Sequence, residues 1–228
     1  MSAENCTVQD AVNLACSYQQ VGNYAEAIEI FEQTVTAEGL IPSDTAALYE
    51  RLGYCRLATQ DREGAESDFE KAVSLLENSF RANIGLGLCM TQSGRTGEAR
   101  SFFETAISIN PECADAYNNL GVLAWAETNF EEALGFFKRA LEIDPTHRDA
   151  LPNYLSIMFA LESYDQAESL LRCYIQAAPD NPDLNFQLAY CHLKLGRKQQ
   201  ARELLQKILD ADPKQEDALV LLELCESA

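Results

Sequence analysis

Eight cysteines and two histidines are the residues of this chain best suited to bind a metal or attack an electrophile. Their placement argues against both. No Cys-x-x-Cys pair occurs, and no His–Cys spacing matches a zinc site. Cys55 and Cys89 stand 34 residues apart, as do Cys191 and Cys225, and Leu123 and Ile157 fill the same slot in between. Where leucine and isoleucine alternate with it, cysteine acts as a small hydrophobe. Buried free thiols are therefore expected, as in a reducing compartment. His147 falls in a turn and His192 in a helix, and neither has a nucleophile at a spacing that implies pairing. The glycines do not form a phosphate-binding loop. The expectation is a chain that is not an enzyme and takes no metal or cofactor.

Charge narrows the partners. The 36 acidic and 17 basic side chains leave a net charge of −19. Acids outnumber bases by 14 to 4 in residues 1–79, by 9 to 5 in 80–147 and by 13 to 8 in 148–228. Such a field repels nucleic acid and anionic lipid, and it favours solubility or a basic protein partner. Nowhere do about 18 apolar residues run together, so no membrane span is expected. The start, Met1-Ser2-Ala3-Glu4-Asn5-Cys6, has an acid where a secretory signal needs a base and no apolar run behind it. A cytoplasmic location is the expectation.

The elements that carry these residues repeat. Leu120-Gly121, Ala133, Phe137, Ala140 and Pro145 set a frame. Thirty-four residues earlier stand Leu86-Gly87, Ala99, Phe103, Ala106 and Pro111, and before them Leu52-Gly53, Ala65, Phe69 and Ala72. Later come Ala167, Leu171 and Pro179, then Leu188-Ala189, Ala201, Leu205, Ile208 and Pro213; Leu14-Ala15, Ala27 and Phe31 open the series. Apolar residues at three- and four-residue steps predict two amphipathic helices per repeat. Small residues let the pair approach, and the large ones fill the space between neighbouring repeats. Gly22, Gly94 and Gly196 suit a left-handed residue at the end of a first helix. Prolines 111, 145, 179 and 213 end second helices.

This pattern resembles the tetratricopeptide repeat (TPR), over about residues 8–215. The resemblance implies an all-α, right-handed α-α superhelix that holds other proteins. Six repeats are expected, at 8–45, 46–79, 80–113, 114–147, 148–181 and 182–215, after a tail at 1–7 and before a capping helix at 216–228. The first repeat is four residues too long, which predicts an extended loop at Gly39-Leu40-Ile41-Pro42-Ser43. The fifth is divergent. It has Leu155 and Tyr174 where small residues belong and Pro152 in its first turn, so looser packing is expected there.

In a TPR superhelix the first helices line the concave face. Asn119, Asn153 and Gln187 recur at 34-residue steps, with Asn13 in the same slot upstream and Arg51 and Gly85 interrupting. Asp115, Asp149 and Asp183 stand four residues before the amides, on the same helical face. Neighbouring helices lie about 8–10 Å apart and an extended peptide advances about 3.3 Å per residue, so one amide would meet every third ligand residue. The row resembles, in shorter form, the asparagine ladder of TPR-bearing protein O-glycosyltransferases. Such amides also occur in TPRs without a ligand role, and first-turn acids favour a helix by themselves. Trp125 and Phe159 share a slot one turn beyond the amides, and Tyr190 lies near the C-terminal groove; either anchoring a ligand or packing within the repeat would explain them. The carboxylate clamp of cochaperone TPRs is not expected, because Asp115, Asp149 and Asp183 occupy faces that would need positive charge.

The leading expectation is a scaffold or adaptor that binds an extended, basic peptide segment. The alternatives are the substrate-recruiting arm of an enzyme complex and an assembly factor of a secretion or pilus machine. At the C-terminal end, Val220, Leu221 and Leu224 are expected to face the groove side while Leu219 and Leu222 pack inward. That would leave an apolar patch for a homodimer, a partner or the chain's own groove.

Overall fold

A computed structural model of the protein describes residues 7–226, so Cys6 and most of the tail at 1–7 lie outside the described residues. These residues form thirteen α-helices and no strand. The first eight are α1 (Val8–Gln20), α2 (Tyr24–Val35), α3 (Pro42–Ala58), α4 (Arg62–Leu75), α5 (Phe80–Gln92), α6 (Thr96–Ile109), α7 (Ala114–Ala126) and α8 (Phe130–Ile143). They continue with α9 (Ala150–Ala160), α10 (Tyr164–Ala177), α11 (Pro182–Lys194), α12 (Lys198–Ala211) and α13 (Glu216–Glu226). The chain divides into two compact units, 1–150 and 151–228. The division falls in the first turn of the divergent fifth repeat.

Within each unit, consecutive helices pack as antiparallel neighbours joined by short turns. The slot of Phe31, Phe69, Phe103 and Phe137 is fully buried in unit 1, and Leu171 and Leu205 fill it in unit 2. Each of these rings buries roughly 150–250 Å² of largely apolar surface. The alanines at 27, 65, 99, 133, 167 and 201 are likewise closed off from solvent, because a larger residue there would hold the paired helices apart. The prolines at 111, 145, 179 and 213 each stand two residues beyond the end of a second helix.

The four additional residues of the first repeat are used differently from the expectation. They do not lengthen a loop; α3 starts at Pro42 and gains a turn, so Pro42 and Ser43 are helical. Proline at the first helical position gives up an amide that has no partner there anyway, and Asp44 adds an acid to the first turn. At α1, Thr7 accepts from the Asp10 amide at 3.2 Å while the Asp10 carboxylate accepts from the Thr7 amide at 3.0 Å. This reciprocal capping box holds the Asp10 carboxyl below its usual range, chiefly through the Thr7 hydroxyl.

Each first helix is followed by a left-handed residue. Glycine takes this position at Gly22, Gly94 and Gly196 with φ between 72° and 81°, but Gln60, Thr128 and Glu162 take it elsewhere with φ of 65°, 62° and 54°. A side chain here costs about 1–2 kcal/mol relative to glycine, and a β-branched residue is the least suited. We predict that Thr128→Gly raises stability by about 0.5–1 kcal/mol, or roughly 1–4 °C in Tm, since unfolded-state entropy returns part of the gain. A thermal melt showing no rise would overturn the strain account.

Candidate protein-binding groove

Unit 1 places Asp115, Asn119 and Trp125 along α7, with the Asn119 amide and the Trp125 indole half-buried. The Asp115 carboxylate is exposed but already engaged, with His147 Nε2 3.2 Å from its Oδ1. His147 Nδ1 accepts from the amides of Asp149 and Ala150 at 3.3 and 3.2 Å. The ring therefore donates from Nε2, and it caps the start of α9 rather than acting as a base. The acid row thus has a structural task at Asp115 that spacing alone did not show. Nearby, the Tyr54 hydroxyl donates to the Arg81 carbonyl at 2.9 Å, and burial pushes the phenol well above its usual range.

Gly85 interrupts the amide row for a packing reason. The Phe69 ring lies against Gly53 of its own repeat and Gly85 of the next; a Cβ at Gly53 would meet Phe69 Cζ at 2.6 Å, and one at Gly85 would come closer. At Gly85 the amide slot therefore faces the preceding second helix. Leu221, in the same slot of α13, is 6% exposed and packs with Ala218 and Cys225. This corrects the C-terminal expectation, because Leu221 belongs to the core. The exposed apolar residues of α13 are Leu219, Val220 and Leu224.

Unit 2 gathers several of the candidates. A cavity of about 180 Å³ lies between α9 and α11, walled by Leu151, Leu155, Phe159 and Leu184, with Asp183 and Gln187 among its lining. Asn153 is half-buried on α9 and is not among the lining residues. Phe159 belongs also to an aromatic cluster, with its centroid 5.3 Å from Tyr190 and 6.1 Å from Tyr164. Lys194 Nζ lies 5.4 Å from the centroid of the Tyr190 ring, a cation–π contact. Sequence reading missed Tyr164, although Phe130 stands 34 residues before it in the same slot.

The thiols fit their inward slot. Cys55, Cys89, Cys191 and Cys225 are buried, and burial pushes the first three up to about 11, 11 and 12. At neutral pH they are protonated and poor nucleophiles. Cys16, Cys113 and Cys173 are also free. Among the described residues no helix is long and apolar enough to cross a membrane.

The helix pairs, their 34-residue phase and the stacked Phe slot agree with the family comparison. Tetratricopeptide-repeat profiles match residues 12–79, 51–111, 92–148 and 158–224. The chain belongs to the tetratricopeptide-repeat family. Comparison with curated proteins returns no match. Among solved structures, the type IV pilus biogenesis factor PilW is 18% identical, with 94% of this chain and 98% of that one covered at a TM-score of 0.74. MamA is 26% identical over 63% of this chain and 82% of its own, at a TM-score of 0.53. YrrB, described as a TPR protein with an unusual peptide-binding site, is 21% identical over 78% and 92%, at 0.59.

Proposed function

We propose that this TPR protein is a non-catalytic adaptor that holds an extended, basic segment of a partner protein against its first helices. What carries the reading is the crevice of unit 2, where the chemistry expected of a groove meets around one cavity: an aromatic wall at Phe159, an amide at Gln187 and a carboxylate at Asp183. Side-chain amides both donate and accept, so Asn119, Asn153 and Gln187 can bond to a ligand's main chain whatever its sequence. The acids Asp115, Asp149 and Asp183 add long-range attraction for a positively charged segment, and this steers encounter more than it adds affinity. Trp125 offers a rigid aromatic anchor within unit 1.

The test is quantitative capture of partner from the native cell, followed by titration of that partner with purified variants. Each lost amide contact is worth about 0.5–1.5 kcal/mol, so replacing Asn119, Asn153 and Gln187 together with alanine is expected to weaken binding at least tenfold. Unchanged affinity in a folded triple variant would sink the groove reading.

A further inference from the structure

The crevice between α9 and α11 has a shape and a rim that narrow its ligand further, an inference that rests on the groove reading above. Small-molecule sites usually span about 300–1,000 Å³. This one, at about 180 Å³, is matched to a single large side chain. Its walls are apolar: Leu151, Leu155 and Phe159 from α9 and Leu184 from α11. Leu155 stands in the slot that holds Gly53, Gly87 and Gly121 in other repeats, where the glycines of unit 1 lie against a phenylalanine ring. In the fifth repeat that slot carries leucine, whose side chain is itself buried and forms part of the wall. The departure from the repeat pattern that the sequence showed at 148–181 is therefore where the crevice forms.

The polar residues of the lining say what accompanies the anchor. Gln187 brings a donor and an acceptor. The Ser156 hydroxyl is spent on the Pro152 carbonyl at 2.8 Å. Asp183 is exposed, and its carboxylate has no ion-pair partner among the described residues; nearby Asp180, by contrast, is paired with Lys207 at 2.8 Å. An unpaired acid beside an apolar pocket complements a cation beside an apolar side chain. In an extended peptide, residues two apart point the same way and lie about 6.6 Å apart, so the cation belongs two residues from the anchor.

We infer that the α9–α11 crevice is a specificity pocket for an extended peptide carrying a large apolar residue two positions from a lysine or arginine. The apolar side chain fills the cavity, the Gln187 amide bonds to the main chain, and Asp183 meets the cation. Selectivity comes chiefly from the anchor, because an exposed ion pair is worth only about 0.2–1 kcal/mol.

Fluorescein-labelled peptides of serine and glycine containing Leu-Ser-Lys, Ser-Ser-Lys or Leu-Ser-Glu test this by anisotropy against the full chain. The Leu-Ser-Lys peptide is expected to bind at least tenfold more tightly than Ser-Ser-Lys, the cost of withdrawing a buried leucine. It should bind about three- to fivefold more tightly than Leu-Ser-Glu, with that margin fading as salt is added. Ser156→Trp, at the exposed rim, should fill the cavity and cost at least tenfold, with an unchanged circular dichroism spectrum as the folding control. Asp183→Lys, on the surface, should reverse the preference towards Leu-Ser-Glu. No binding, equal binding of all three peptides, or indifference to both variants overturns the pocket. If affinity ignores Ser156→Trp and Asp183→Lys yet falls with Asn119→Ala or Trp125→Ala, the pocket is wrong and the groove reading survives. Indifference to all four variants removes both.

Discussion

Gly85→Ala is expected to destabilise the protein by about 1–3 kcal/mol, even though alanine is the better helix former by about 1 kcal/mol. The reason is Phe69. Its ring is wholly buried, wedged between the glycines at 53 and 85 and set edge-on to Tyr54 at a centroid distance of 5.0 Å. A methyl group at position 85 must displace that ring, and a ring closed on all sides has nowhere to go. The expected fall in Tm is roughly 3–10 °C for a chain of this size. Phe69→Leu alone should also destabilise, but combined with Gly85→Ala it should recover part of the loss, because the smaller side chain leaves room for the methyl. Strict additivity in the double-mutant cycle would show that the two positions do not share the space described. Phe69→Ala, with no compensating volume, should cost more, about 3–5 kcal/mol.

The same region shows which parts of the fold were legible in the sequence. Period-34 spacing of Phe69, Phe103 and Phe137 revealed the core slot directly, since a side chain that fills the gap between repeats must recur with them. The cysteines were legible for the same reason, because leucine and isoleucine shared their slot. The amide row was only half legible. Spacing put Asn119, Asn153 and Gln187 on one line with Gly85 and Leu221, but it could not show that this line also packs on the preceding second helix. Phe69 reaches Gly85 and the core closes over Leu221, so the slot serves packing in some repeats.

Other misses have local physical causes. Left-handed Gln60, Thr128 and Glu162 carry no glycine signal, yet the turn geometry of the repeat imposes the conformation on them. Insertion length predicted an extended loop at 39–43, within the first repeat, but Pro42 and Asp44 make a helix start whose value outweighs that prior. His147 read as a bystander because a cap formed by a ring nitrogen depends on the direction of the side chain, which spacing does not encode. The crevice of unit 2 was foreseen only through its cause, Leu155 in a glycine slot; the sequence said that packing would change there without saying that a cavity would result.

Removing the Arg197 guanidinium should destabilise unit 2, and the buried groups around it should give that unit a pH signature. Glu168 is nearly buried and is held by Arg197 and by Arg172, whose Nη2 lies 2.7 Å from Glu168 Oε1. The same pairing occurs in unit 1 between Arg95 and Glu66, with both partners 102 residues earlier, so it fastens a second helix to the turn between the two helices of the next repeat. Burial alone would raise the Glu168 carboxyl, but the two guanidinium groups outweigh it and the net shift is downward. Arg197→Ala leaves Arg172 as the remaining partner. A charged hydrogen bond lost from a buried acid costs about 1.5–3 kcal/mol, which is the expected destabilisation. His192 is buried, with its Nδ1 4.0 Å from Glu168 and without a hydrogen-bond partner among the described residues. Burial, helped by the nearby Arg172 and Arg197, lowers its pKa. The unfolded chain therefore takes up the His192 proton first, and stability should fall as pH drops below about 6.5. Glu168 acts lower: its contribution is present above the ordinary glutamate pKa of about 4.3 and is lost as pH falls through its depressed folded value. Thermal melts at pH 7.5 and 5.5 isolate the histidine. Compared with the parent, His192→Leu should lose most of the stability difference between those two pH values while keeping the stability at pH 7.5, because it removes a buried nitrogen that has no hydrogen-bond partner among the described residues. If the difference persists undiminished in His192→Leu, the proton uptake lies elsewhere in the chain.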